Sequence, residues 1–186
     1  VTADPIDGGL QAVIKALDDV VAQSLDPANP LAREQLKLSV RYLGFVRRRL
    51  PLLAERDRAE LQHYLALARE LAPLAAGCGV AGVPALEPAI AAAARTLTDA
   101  GAGTEALRAA TAALTADISV LVRAAAAAAG EQRRPIERAV TLASARLFDL
   151  QRAWYLPMGF EPDPERVPAL PQALAATAGS GPTMPA

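Results

Sequence analysis

Residues 4–51 read DPIDGGLQAVIKALDDVVAQSLDPANPLAREQLKLSVRYLGFVRRRLP, and this stretch decides the fold. It opens on Asp4-Pro5-Ile6-Asp7: a carboxylate to cap the first free N–H groups, a proline where no N–H is needed, and a second carboxylate near the positive end of the helix dipole. Leu10, Val13, Ile14, Leu17, Val20, Val21 and Leu25 follow at helical spacing and define one apolar face. Asp26-Pro27-Ala28-Asn29-Pro30 is a turn that closes on a fresh cap, Asn29, with Pro30 opening a second helix. That helix runs to about Leu50, where Pro51 imposes a stop or kink. Two amphipathic helices joined by so short a turn must lie antiparallel.

The same grammar continues. A third helix carries Leu53, Leu61, Tyr64, Leu65, Ala68, Leu71 and Leu74 to a glycine-rich break, Gly77 to Pro84. A fourth spans roughly Ala85 to Ala100, around Leu86, Ile90, Ala93 and Leu97. Gly101-Ala102-Gly103-Thr104 ends it and opens a fifth, with Leu107, Leu114, Ile118, Leu121 and Val122. Gly130 stops the fifth, and a sixth, from about Glu131 to Leu156, carries Ile136, Val140, Ala143, Leu147, Leu150 and Trp154. The expected fold is an all-α antiparallel bundle of about six helices, in two three-helix halves, over residues 1–160. Residues 161–186 are rich in proline, alanine and small polar residues, and read as a flexible tail with a short helical turn near Gln172 to Ala176. Pro168 and Pro171 fall in a PxxP pattern that this composition produces without a docking role.

Composition narrows the function classes. Alanine is roughly a quarter of the chain, which favours helices and close helix packing. The 186 residues carry a net charge of −1 with both signs interspersed, so no basic excess marks a nucleic acid partner. The most apolar run, Leu107 to Ala129, contains Arg108, Asp117 and Arg123, too polar for a membrane span. Residues 1–9 show no secretory pattern, and a single cysteine, Cys78, forbids an internal disulfide; a cytoplasmic protein is expected. Arginine outnumbers lysine, of which only Lys15 and Lys37 occur, a bias of GC-rich bacterial coding.

Gly77-Cys78-Gly79-Val80-Ala81-Gly82 is formally GxGxxG, but the dinucleotide fingerprint needs a strand before the turn and a helix N-terminus after it. Here a helix precedes and Pro84 follows, so the stretch reads as a linker, and Asp99, at the spacing of a ribose-binding acid, sits at a helix end. His63 is the lone histidine, at the edge of a core face, and reads as structural; Cys78 has no basic neighbour to activate it. Glu60-Leu61-Gln62-His63 supplies one copy of a di-metal carboxylate motif whose second copy needs a histidine the chain lacks. Asp117 is expected half-buried and paired with Arg146. No catalytic residue, metal site or cofactor is assigned, and the chain leans away from being an enzyme.

Two features remain. Arg33, Lys37, Arg41 and Arg48 fall in one narrow sector of the second helix, with Gly44 as a notch among them and Arg47 and Arg49 beside them. A solvated basic face is the plainer reading; the functional one is a site for an anion, a phosphate or an acidic partner. Of seven aromatics, Phe148, Trp154, Tyr155 and Phe160 lie within thirteen residues, together with Met158. Trp154 belongs to the core stripe, Phe148 and Tyr155 share the opposite side, and Met158 and Phe160 can fold back to plug the bundle end. The alternative is a partner or ligand surface.

Leu10 to Leu61, with Arg47-Arg48-Arg49-Leu50 and Arg56-Asp57-Arg58-Ala59-Glu60-Leu61, resembles a small uncharacterised all-helical bacterial family. Its members are encoded beside acyl-CoA dehydrogenase-like and aminoglycoside-phosphotransferase-like enzymes. The resemblance implies an accessory role and assigns no site residue. The expected function is therefore a non-catalytic helical protein that binds a protein partner or itself. The alternative is a small-ligand or anion-binding protein accessory to acyl-CoA metabolism.

Overall fold

A computed structural model of the chain describes residues 4–77, 86–126 and 130–179. Among them there is no strand. Six helices of twelve or more residues occur: α1 (Pro5–Ala16), α2 (Pro30–Arg49), α3 (Leu53–Gly77), α4 (Glu87–Thr98), α5 (Thr104–Ala125) and α6 (Gly130–Tyr155). A shorter α7 (Leu170–Ala178) follows. The cap signals act as read. Asp4 accepts from the Ile6 N–H at 2.9 Å, and Asn29 accepts from the Ala32 N–H at 3.0 Å. Asp26 accepts from the Ala28 N–H at 2.8 Å, folding the connecting turn. Pro51 lies in a 3-10 turn (Leu50–Leu52) that separates α2 from α3.

The chain divides into two compact units. The first comprises residues up to Leu53 together with Trp154–Pro164; the second comprises Ala54–Ala153 and the residues from Glu165 onward. The division thus falls after Leu53 and after Ala153, not at the glycine-rich stretch 77–84. The reason is packing: Leu61, Leu65, Leu67 and Leu71 of α3 share one core with Leu107, Leu114 and Leu121 of α5 and Ile136 of α6, which spans both sides of that stretch.

In the second unit α4 and α5 form a tight helical pair. Asp99, which stands at the spacing of a ribose-binding acid, works in the turn between them: its carboxylate accepts from the Gly101 N–H at 2.8 Å. A smaller cluster joins Ala59 of α3 and Leu150 and Ala153 of α6 to Ala173 and Leu174 of α7. Within the expected flexible tail, the α7 segment thus packs on the second unit, since Leu170, Leu174 and Ala178 present an apolar edge at helical spacing.

In the first unit α1 packs on α2. Past Ala16 it widens into a π turn (Leu17–Val21) and closes with Ala22–Ser24. The apolar face expected of this helix is only partly covered. Leu10, Ile14, Leu17 and Leu25 are half-buried, whereas Val13, Val20 and Val21 are exposed. One neighbouring helix cannot cover a face that wide.

Candidate functional site

The glycine notch on α2 is part of a cavity in the first unit, of about 600 Å³, lined by Asp7 and Ile14 of α1 and Val40, Arg41, Gly44, Arg47 and Arg48 of α2. The Arg47 guanidinium grips Asp7 with two parallel bonds, Nε to Oδ1 at 2.7 Å and Nη2 to Oδ2 at 3.0 Å. Its Nη2 also donates to Gln11 Oε1 at 3.2 Å. This hydrogen bonding holds the Asp7 carboxyl below the usual carboxylate range and raises the Arg47 pKa. Arg41 Nη1 donates to the Met158 carbonyl at 3.3 Å. Arg48 folds back along the helix, so that a Cβ on Gly44 would meet its Nη1 at 3.8 Å.

The basic stripe therefore divides. All four cations are exposed, but Arg41 and Arg48 line the cavity with Gly44, whereas Arg33 and Lys37 lie off it. The Asp7–Arg47 pair was missed, though a signal existed: both residues stand about twenty positions from the Asp26–Asn29 turn, so an antiparallel hairpin brings them level. Arg49 is committed elsewhere, its Nε donating to the Trp154 carbonyl at 2.9 Å and its guanidinium lying 5.3 Å from the Trp154 ring centre.

The aromatic set is also divided. Trp154 is buried, as its core position requires, and Met158 is half-buried in a 3-10 turn (Leu156–Met158) that Gly159 closes at φ 74°. Tyr155 stacks on buried Phe45 with ring centres 5.4 Å apart, and Tyr42 lies 5.9 Å from Phe45 on its own helix. Phe160 does not plug anything: it is 69% exposed. Phe148 belongs to the second unit and is also exposed, with the Arg152 guanidinium 5.7 Å from its ring.

In the second unit His63 is buried more deeply than expected, at 1% exposure. Burial first, and the charge of Arg146 second, push its pKa down to about 4, against a hydrogen bond with the Ala143 backbone that acts the other way. It lines a cavity of about 320 Å³ with Tyr64, Leu67, Ile118, Val122, Val140 and others. Asp117 is not paired with Arg146; among the described residues the buried carboxylate is Asp57, whose Oδ2 lies 2.8 Å from Arg108 Nε. Arg58 Nη1 donates to the Leu97 carbonyl at 2.7 Å, capping the C-terminal end of α4. The Gly77–Gly82 motif, Cys78 included, lies outside the described residues beyond Gly77 itself. Among the described residues no group of three His, Cys, Asp or Glu could hold a metal, and no helix is long and apolar enough to cross a membrane. No protein-family model, curated protein or solved structure matches the chain.

Proposed function

We propose that this chain is a non-catalytic helical interaction protein that self-associates through its first unit. The observation that carries the reading is α1, an amphipathic helix with no fully buried residue. Ile6 and Val13, two turns apart on one side, are 58% and 50% exposed, and Val20 in the π turn is 62% exposed. Leaving such aliphatic surface wet costs about 25 cal/mol for each Å², which a partner helix laid along the face would recover. Tyr42, Tyr155 and Phe160 add exposed aromatic surface to the same unit, the residue types that interfaces favour. The resemblance of Leu10 to Leu61 to a family whose members are encoded beside enzymes fits a chain that works in an assembly.

The test is light scattering on the eluted full chain over a wide concentration range, with Val13→Asp beside it. The wild-type chain should elute as a dimer or larger species and Val13→Asp as a monomer of unchanged helicity, since Val13 is half-exposed. A wild-type chain that stays monomeric at the highest concentration would sink the reading.

A further inference from the structure

The cavity beside Gly44 has a chemistry that an apolar contact does not use, and we propose that it binds a phosphomonoester: a dianionic phosphate carrying a compact apolar substituent. Charge sets the anion. The wall presents three guanidiniums, from Arg41, Arg47 and Arg48, against one carboxylate, Asp7. Arg47 uses its fork on Asp7, so this pair is matched and fixed. Arg41 and Arg48 have no carboxylate within ion-pair distance among the described residues. Two uncompensated cations on one concave wall match a dianion, and the planar fork of arginine suits phosphate oxygens.

Placement supports the same reading. Arg41 and Arg48 are seven residues apart, about 10 Å along the helix at 1.5 Å per residue. Arg48, although exposed, lies back over Gly44, and Arg41, also exposed, is tethered by one nitrogen to the Met158 carbonyl. The Arg48 head is thereby held at the notch, and Arg41 lines the same cavity. Gly44 matters because any side chain there would project into the space in front of the Arg48 guanidinium. Size and lining set the substituent. The cavity, about 600 Å³, falls within the range of sites for small organic molecules and exceeds what a bare phosphate fills. Ile14 and Val40 supply the apolar wall that an aromatic or short alkyl group would cover.

Calorimetric titration of the full chain with phenyl phosphate, inorganic phosphate and benzyl alcohol tests the assignment. Phenyl phosphate should bind saturably and about tenfold more tightly than inorganic phosphate, and benzyl alcohol should not bind. Arg41→Gln and Arg48→Gln should each weaken phenyl phosphate binding by about tenfold or more, as loss of a charge-assisted fork predicts. Gly44→Met should abolish it, while Arg33→Gln and Lys37→Gln stay near wild type. Val13→Asp should bind as the wild type does, which separates this site from self-association. The proposal is overturned if neither phosphate binds saturably, or if the Arg33 and Lys37 variants lose as much as the Arg41 and Arg48 variants, which is the mark of a diffuse field. Equal affinity for the two phosphates would overturn the organic substituent.

Discussion

His63, Asp57 and Arg58 show at the scale of single residues how polar groups are accommodated within an apolar core. The imidazole is neutral at pH 7 because burial and Arg146 together disfavour its charged form. Below pH 6.5 the unfolded chain binds a proton that the folded chain refuses until about pH 4. Its contribution is therefore fully present above pH 6.5 and is lost as pH falls toward 4, a loss of about 2–3 kcal/mol between pH 7 and 4.5. Urea unfolding at both values should show this excess acid sensitivity in the wild type and its absence in His63→Leu. Asp57 makes a different demand. Its exposure is only 4%, and its contact with Arg108 is a charge contact at an angle that makes no hydrogen bond. Arg108→Ala should cost about 1–2 kcal/mol by stranding the carboxylate, discounted because Arg108 itself is half in water. Asp57→Asn in the Arg108→Ala background should return part of that loss, read from the denaturation midpoint. Of these residues, only His63 has a structural role legible in the sequence; Asp57 and Arg58 enter there only as part of a resemblance. The burial of Asp57 was not legible, because whether a carboxylate ends inside a helix bundle depends on which neighbour covers it.

Among the helices, α1 and α2 differ in how far local chemistry fixes them. Their caps, prolines and turn could be read directly, and each forms the hydrogen bond its residue type favours. The π turn at Leu17–Val21 could not, since no glycine or proline marks it. Gly44 interrupts α2 at a position where a methyl group would meet nothing nearer than 3.8 Å. Gly44→Ala should therefore raise stability by about 1 kcal/mol through helix propensity, measurable as a higher thermal midpoint. A helix that tolerates alanine there yet keeps glycine leaves the notch open. For α7 the helical turn expected near Gln172 to Ala176 is present and longer, Leu170–Ala178, and it packs: Ala173, Leu174 and Thr177 are buried in the second unit. Leu174→Ala should cost about 2–3 kcal/mol, a core-like penalty that a flexible tail would not show. Its packing, unlike its helical turn, was not legible, because a nine-residue helix is stable only where tertiary packing supports it.

Across the whole molecule, stability is unevenly spread. Nearly all buried apolar side chains among the described residues lie in the second unit; in the first only Phe45 and Trp154 are buried hydrophobics. Amides of α1 should exchange with solvent faster than those of α3 and α5, because few buried contacts resist local opening. The all-helical class, the number of main helices and nearly all their ends followed from the sequence, since caps, prolines, glycines and apolar period are local properties that the backbone must obey. The stripe that residues 4–51 place on α1 and the arginines they place on α2 were visible from the start. Only the tertiary structure decided that Val13 and Val20 stay wet, that Asp7 claims Arg47, and that Arg41 and Arg48 but not Arg33 and Lys37 face a cavity. Those outcomes depend on which surface each helix turns to its neighbour, and an apolar period wider than one neighbour can cover leaves that choice to packing.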